Sequence, residues 1–448
     1  MITRRLLLGL LGLLGSLLVV AGCASSVSLQ EHPPIVFVHG NGDSASVWQT
    51  TIWRFESNGW PRERLHAIDL PLPTARDVDT KEQTGRSSTA EHMAFLMAEV
   101  EKVRARTGGG PVVLIGNSRG GLAIRNYVQN GGGAAVVSHA VLAGVMNHGV
   151  QAVKGFNEGN EFSGTGPFIS SLNAPKNAAG DEVAGAVKWL TIRSDNNDKY
   201  AQPDGLWLGA RGTATNITFA SPELKGATNV VIPRVDHRET AFSPASFDAM
   251  YRFITGRAPA RVDILPEDRV VLSGKVSAAG TNIGLPGASL NVFAIDAVTG
   301  ERRGNVAFSR TIAADGQWGP FPADKQTRYE FAISAPGYAT THVYRSPFPR
   351  SSTVINFRPE RVPEADKHAP ALLLMTRPRG YLDPVRDKMA FGGQSPPPGA
   401  VLGAGVSTSR IKPTGLPRAV VAEFNGERVV GRSWPLAENH VSVLELTY

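Results

Sequence analysis

Cysteine is almost absent from this chain: Cys23 is the only one among 448 residues. An intramolecular disulfide is excluded, and so is a metal site built on several thiolates. Charge is sparse as well, at 19% of residues, with 46 Lys and Arg against 39 Asp and Glu and a formal net charge of +7. No dense Lys/Arg block occurs and no basic stretch interleaves with aromatics, so no nucleic-acid partner is expected. Long apolar runs are lacking too, apart from Leu6 to Val20, which falls short of the roughly 20 residues that a membrane-spanning helix needs. What is present is ordinary globular material. A hydrophobic content of 42% suits packed cores, and the length calls for two or three domains.

The apolar run belongs to a leader. MITRRLLLGLLGLLGSLLVVAGC starts basic and ends in small residues followed by Cys23. Val20-Ala21-Gly22-Cys23 resembles the bacterial lipobox, which implies cleavage before Cys23 and thioether lipidation of its sulfur. A membrane partner is thus expected through Cys23. Ala24 in the next position implies the outer membrane, on its periplasmic or cell-surface face.

From about residue 30 to 258 strand-like and helix-like segments alternate. Ile35–Val38, Leu65–Ile68, Val112–Ile115, Ala140–Ala143, Trp189–Ile192 and Val230–Ile232 read as strands. Met93, Leu96, Met97, Val100 and Val103 fall at helical spacing, as do Phe247, Met250, Tyr251 and Ile254. Such βα alternation predicts an α/β fold, a mostly parallel sheet with helices on both faces. After a linker the texture changes. From 268 to 359 helical periodicity is absent, Tyr329–Ser334 alternates strictly, and turn dipeptides recur, which predicts a small antiparallel β module. Residues 370–448 read as a second β module, with strands at Ala419–Phe424 and Val441–Leu446.

The chemistry concentrates at PVVLIGNSRGGLAIRNYV, residues 111–128. A buried-strand run stops at Gly116-Asn117-Ser118-Arg119-Gly120 and a helix begins at once. Two glycines around a serine, between strand and helix, describe a strained turn that holds the serine out for use. Ser118 is the candidate nucleophile. A neutral hydroxyl needs a base, and His237 follows a strand into a loop at the same carboxyl edge of the sheet. The acid is expected in between, after Trp189–Ile192, where Asp195, Asp198 and Asp204 are available. An aspartate in such a loop also suits an Asx turn, and Asp195 is placed for one. Backbone N–H groups of Asn41 and Arg119 are the expected oxyanion donors. No metal or organic cofactor is called for.

PIVFVHGNG, GNSRGG, GPFISSLN, IRSDNNDKYAQPDG and VDHRE together resemble the α/β-hydrolase superfamily, in its bacterial lipase/esterase branch. The resemblance covers about residues 34–256. It implies a serine-dependent carboxylic ester hydrolase with Ser118, Asp198 and His237 as triad, acting on an ester or lipid substrate. The same triad serves polyester or amide hydrolysis, and an inactive surface-binding lipoprotein is the non-enzymatic alternative. Asp198-Lys-Tyr-Ala-Gln-Pro203 resembles the Asp-x-x-Val-x-Pro segment of small lipases, with Ala201 for Val. Phe168, Ile169 and Leu172 either line an acyl groove or pack a short helix onto the sheet. Arg119 stands where many lipases carry Met or Gln, and is read as solvent-facing and paired to a carboxylate. Its alternative is a cation that favours acidic substrates. Between Gly149 and Val187 the sequence is too irregular for a large helical cap. The stretch 268–359 resembles prealbumin-like modules, expected either as spacers or as lipid or polymer binders.

Overall fold

The computed structural model describes residues 32–204, 214–402, 405–415 and 417–448. The leader and the expected lipidation site Cys23 lie outside them. Among the described residues no helix is long and apolar enough to cross a membrane.

Six strands form the first sheet: β1 Ile35–Val38, β2 Leu65–Ile68, β3 Val112–Asn117, β4 Val137–Ala143, β5 Lys188–Ser194 and β6 Thr228–Ile232, in spatial order β2-β1-β3-β4-β5-β6. Every pairing is parallel. The reason is visible in the strands themselves, whose side chains point alternately to two cores. Val36, Val38, Leu114, Ala140 and Leu142 enter one cluster, while Ile35, Phe37, Val113, Ile115 and Val141 enter the other. The inner strands β1 and β3 are buried along their whole length, whereas the edge strand β6 is mostly exposed.

Helices α1 Gln49–Ser57, α2 Thr89–Arg106, α3 Arg119–Asn130, α4 Pro167–Leu172, α5 Glu239–Phe242 and α6 Pro244–Thr255 accompany this sheet. Their ends follow local chemistry. Ser88 and Glu91 close a reciprocal capping box on α2. Ser243 caps α6, Pro244 opens it, and Gly256 ends it in the left-handed conformation. Between β4 and β5 only the short α4 is helical among the described residues, so no helical cap stands there.

The remaining chain is all β. Strands β7 Val270–Lys275, β8 Ser289–Ile295, β9 Phe308–Thr311, β10 Gln317–Ala323, β11 Arg328–Ser334 and β12 Thr340–Arg345 are followed by β13 Leu373–Thr376, β14 Met389–Phe391, β15 Thr408–Ile411, β16 Ala419–Phe424, β17 Glu427–Arg432 and β18 His440–Glu445. The two segments predicted as separate modules share one seven-stranded sheet, ordered β15-β13-β18-β12-β11-β8-β9. Strand β18 runs parallel to both β12 and β13, so it fuses the two. The fusion was invisible in sequence because β18 pairs with strands far from it along the chain.

This β region is no free spacer. Trp53, on α1, is 1% exposed and belongs to the same hydrophobic core as Leu272, Phe348 and Ile355 of the β region. Its indole N–H donates to the Ser351 carbonyl at 2.8 Å. Burying an indole across the junction is worth about 3–5 kcal/mol against alanine.

Candidate active site

Strand β3 delivers Asn117 in extended form, and Ser118 then adopts φ 53° and ψ −124° at the N-cap of α3. Such a conformation costs a non-glycine residue roughly 1–3 kcal/mol, and the surroundings hold it in place. Gly120 shows how. A β-carbon there would approach the Val38 carbonyl oxygen to 2.3 Å, so only glycine lets α3 sit this close to the end of β1. The Ser118 side chain is therefore fixed at the carboxyl edge of the sheet, against the helix N-terminus.

His237 occupies the turn between β6 and α5, on the same edge. Its Nδ1 lies 2.9 and 3.0 Å from the two carboxylate oxygens of Asp198. Since a carboxylate only accepts, Nδ1 carries the proton and Nε2 is the basic nitrogen. Asp198 is itself held: its Oδ1 accepts from the Tyr200 N–H at 2.9 Å, capping the turn Lys199–Ala201. The Tyr200 ring stands edge-on to the imidazole at 4.6 Å, and burial lifts its phenol to about 12. Ser118, Asp198 and His237 are buried at 6%, 3% and 3% exposure. The Ser118 hydroxyl lies 3.5 Å from Met146 Sδ, and no hydrogen bond joins it to the imidazole among the described residues. Resting-state nucleophile–base contacts are commonly this loose.

Asp195, the alternative acid, is occupied elsewhere. Its Oδ1 accepts from the N–H groups of Asn196 at 2.7 Å and Arg234 at 3.1 Å, stitching the loops after β5 and β6. Burial alone would raise its carboxyl, but these backbone donors hold it below its usual value. The structure brings Asp198 to His237 and leaves Asp195 out.

The loop after β1 reaches the serine directly, since a β-carbon on Gly40 would sit 3.2 Å from Ser118 Cβ. Asn41 Oδ1 accepts from the Ala75 N–H at 2.7 Å, which fixes that residue. Neither the Asn41 nor the Arg119 N–H has a hydrogen-bond acceptor among the described residues. Two uncommitted backbone donors beside a strained serine are what an oxyanion site requires. His39 is structural: Nδ1 donates to the Gly40 carbonyl at 2.9 Å and Nε2 accepts from the Leu70 N–H at 3.1 Å. Burial lowers its imidazole, keeping it neutral.

Arg119 departs from expectation. It is paired to a carboxylate, but it is 1% exposed rather than solvent-facing. Nε and Nη2 hold Glu161 in a fork at 2.8 Å each. Its other donors go to the Pro73 carbonyl, the Ser87 hydroxyl and the Ser87 carbonyl. All of its guanidinium N–H groups are used inside the protein, so it offers no charge to an acidic substrate. The fork instead ties two long loops to the start of α3. Nothing in sequence marked Glu161, which sits 42 residues away in an irregular stretch.

Ile169 and Leu172 also differ from a groove lining. Both are fully buried at 0% exposure in the cluster that holds Val145 and Met146, while Phe168 packs partly buried against it. They seat α4 on the core. Met146 and Tyr200, which touch the nucleophile and the base, were not foreseen. Only the position of Tyr200 beside Asp198 offered a hint.

An alpha/beta hydrolase profile matches residues 35–275, more than half of the chain. The chain belongs to the alpha/beta hydrolase family. Residues 268–362 of this hydrolase match the lipase C-terminal domain. Among solved structures it is similar to Aspergillus fumigatus lipase B, with 13% identity, 52% of this chain and 54% of that chain covered, and a TM-score of 0.37. The match thus spans about half of the Aspergillus enzyme. It is similar as well to mature Bacillus licheniformis lipase BlEst2, at 18% identity, 50% and 93% coverage and TM-score 0.36. Bacillus subtilis carboxylesterase CesB gives 14%, 51%, 85% and 0.30.

Proposed function

We propose that this alpha/beta hydrolase is a serine-dependent carboxylic ester hydrolase of the lipase/esterase type. The observation that carries the reading is the constellation itself: a serine on a positive-φ strand-to-helix turn, with an Asp198–His237 pair on the same sheet edge. In that reading the Ser118 hydroxyl turns from Met146 to the imidazole and attacks the ester carbonyl. His237 Nε2 takes its proton, while Asp198 holds the tautomer and stabilises the imidazolium. The N–H groups of Asn41 and Arg119 receive the oxyanion. Collapse releases the alcohol, protonated by His237, and leaves an acyl-enzyme that water then cleaves by the reverse proton path. A lipase C-terminal domain at 268–362 supports esters of lipids as the substrate class. On sequence grounds the chain is exported and anchored through lipidated Cys23 at the outer membrane.

The test is hydrolysis of chromogenic esters from short to long acyl chains, with Ser118→Ala as control. Turnover that disappears in the variant supports the reading, and the chain-length optimum separates esterase from lipase. A folded protein without turnover on any chain length would sink it.

A further inference from the structure

We infer that the β region is a working part of the catalytic centre, with Arg377 and Arg358 as positioning residues for His237 and for the Asn41 donor. This rests on the ester-hydrolase reading above.

The first grip is on the histidine turn. Asp236 and Glu239 flank His237, and within the turn Asp236 Oδ1 accepts from the N–H groups of Arg238 and Glu239 at 2.9 Å each. Glu239 Oε2 accepts in return from the Asp236 N–H at 2.9 Å. Two carboxylates are thereby folded against one another, and burial together with Asp236 pushes the Glu239 carboxyl up. Such a turn needs cations, and the β region supplies them. Arg377, buried at 5% exposure, donates to Asp236 Oδ2 at 3.3 Å and to Glu239 Oε1 at 2.6 Å. Arg386 reaches Glu239 Oε2 at 2.5 Å, and the Tyr381 N–H reaches Asp236 Oδ2 at 2.7 Å. The catalytic domain holds the imidazole through Asp198 and the His237 carbonyl through Thr240 Oγ1, whereas the carboxylates of Asp236 and Glu239 on either side are held from the β region.

The second grip is on the loop after β1. Arg358 donates to the carbonyls of Gly42 at 2.8 Å and Asp43 at 3.0 Å, the two residues after Asn41. Asn282 donates to Asp43 O at 3.0 Å and to Leu70 O at 2.9 Å, and its own Oδ1 accepts from Arg358 at 2.6 Å. Arg238 joins the two grips, meeting Asp43 Oδ1 at 3.0 Å and the Pro378 carbonyl at 3.1 Å. Other contacts between the two regions run along α1, through Gln49, Trp53 and Glu56. These two sets end instead on the residues beside the base and beside an oxyanion donor, where displacement of about 1 Å is costly to rate.

The experiment uses the full chain, p-nitrophenyl butyrate and a fluorophosphonate that labels the reactive serine. Arg377→Met and Arg358→Met are each expected to lower kcat by about tenfold or more. KM stays within about twofold, because the substrate's own contacts are untouched. Fluorophosphonate labelling of Ser118 slows with kcat, and Arg377→Lys, which keeps the charge, recovers most of both. Arg386→Gln, nearer the rim, gives a smaller loss in the same direction and serves if Arg377→Met fails to fold. Folded variants with wild-type kcat and labelling rates overturn the inference, and so does a loss confined to KM. A wild-type chain that neither turns over the ester nor takes the fluorophosphonate overturns the ester-hydrolase reading, and the positioning role falls with it.

Discussion

Gly144 lies directly beneath His237: a β-carbon built on it would come within 2.7 Å of the histidine carbonyl oxygen and 2.5 Å of Thr240 Oγ1. Gly144 also holds φ +59°, which side chains rarely adopt. The end of β4 is thus a floor for the histidine turn. Gly144→Ala is expected to lower stability by about 1–3 kcal/mol. It should lower kcat further than the folded fraction explains, by about tenfold. Chemical denaturation alongside steady-state kinetics measures both.

The two candidate acids separate by mutation. Asp198→Asn turns an acceptor-only partner into one that offers the imidazole the wrong hydrogen, and kcat should drop by about 10³–10⁴. Asp195→Asn keeps an acceptor for the N–H groups of Asn196 and Arg234 and should leave most of the activity. Steady-state kinetics of the pair decides it, and equal losses would move the acid role into doubt.

Buried and surface ion pairs are expected to differ sharply. Glu161→Gln leaves the 1%-exposed Arg119 guanidinium without its counter-charge and should cost about 3 kcal/mol. Glu223→Gln breaks the more open Arg193–Glu223 pair and should cost no more than about 1 kcal/mol. Urea unfolding midpoints of the two variants provide the comparison.

Lys199 gives a pH signature. Burial, reinforced by the Arg238 cation, lowers its ammonium to about 8. An unfolded lysine titrates near ~10.4, so between these values the unfolded chain binds a proton that the folded chain does not. The Lys199 contribution to stability therefore rises with pH from 8 to about 10.4, and is lost as pH falls back through 8. Thermal midpoints of wild type minus Lys199→Met, followed from pH 7 to 10.5, should climb across that window. A flat difference would contradict it.

Strands such as Ile35–Val38 and Val112–Asn117 were readable because burial on both faces leaves a continuous apolar run. The elbow at Ser118 was readable because glycine is the one residue that permits the approach of α3 to β1. The Asp198–His237 pair was accessible through chain order and loop placement. Residues that work through space left no such trace. Glu161, Met146 and Arg377 lie on segments whose local pattern says nothing about where they end up. The burial of Arg119 depends on loops folding over it, which a single exposed-looking arginine in a motif does not reveal.

Strand β18 lies inside the seven-stranded sheet, between β12 and β13, although it is supplied by residues 440–445. Synthesis delivers it after both of the strands it must join. Until it arrives, β12 and β13 each present an unpaired edge, and the platform that carries Arg358 and Arg377 is unfinished. The long sequence separation of these pairings makes this the slow part of folding. The hydrolase domain is synthesised before this support is complete, so the support is timed by residues 440–445 and not by the motif that bears the serine.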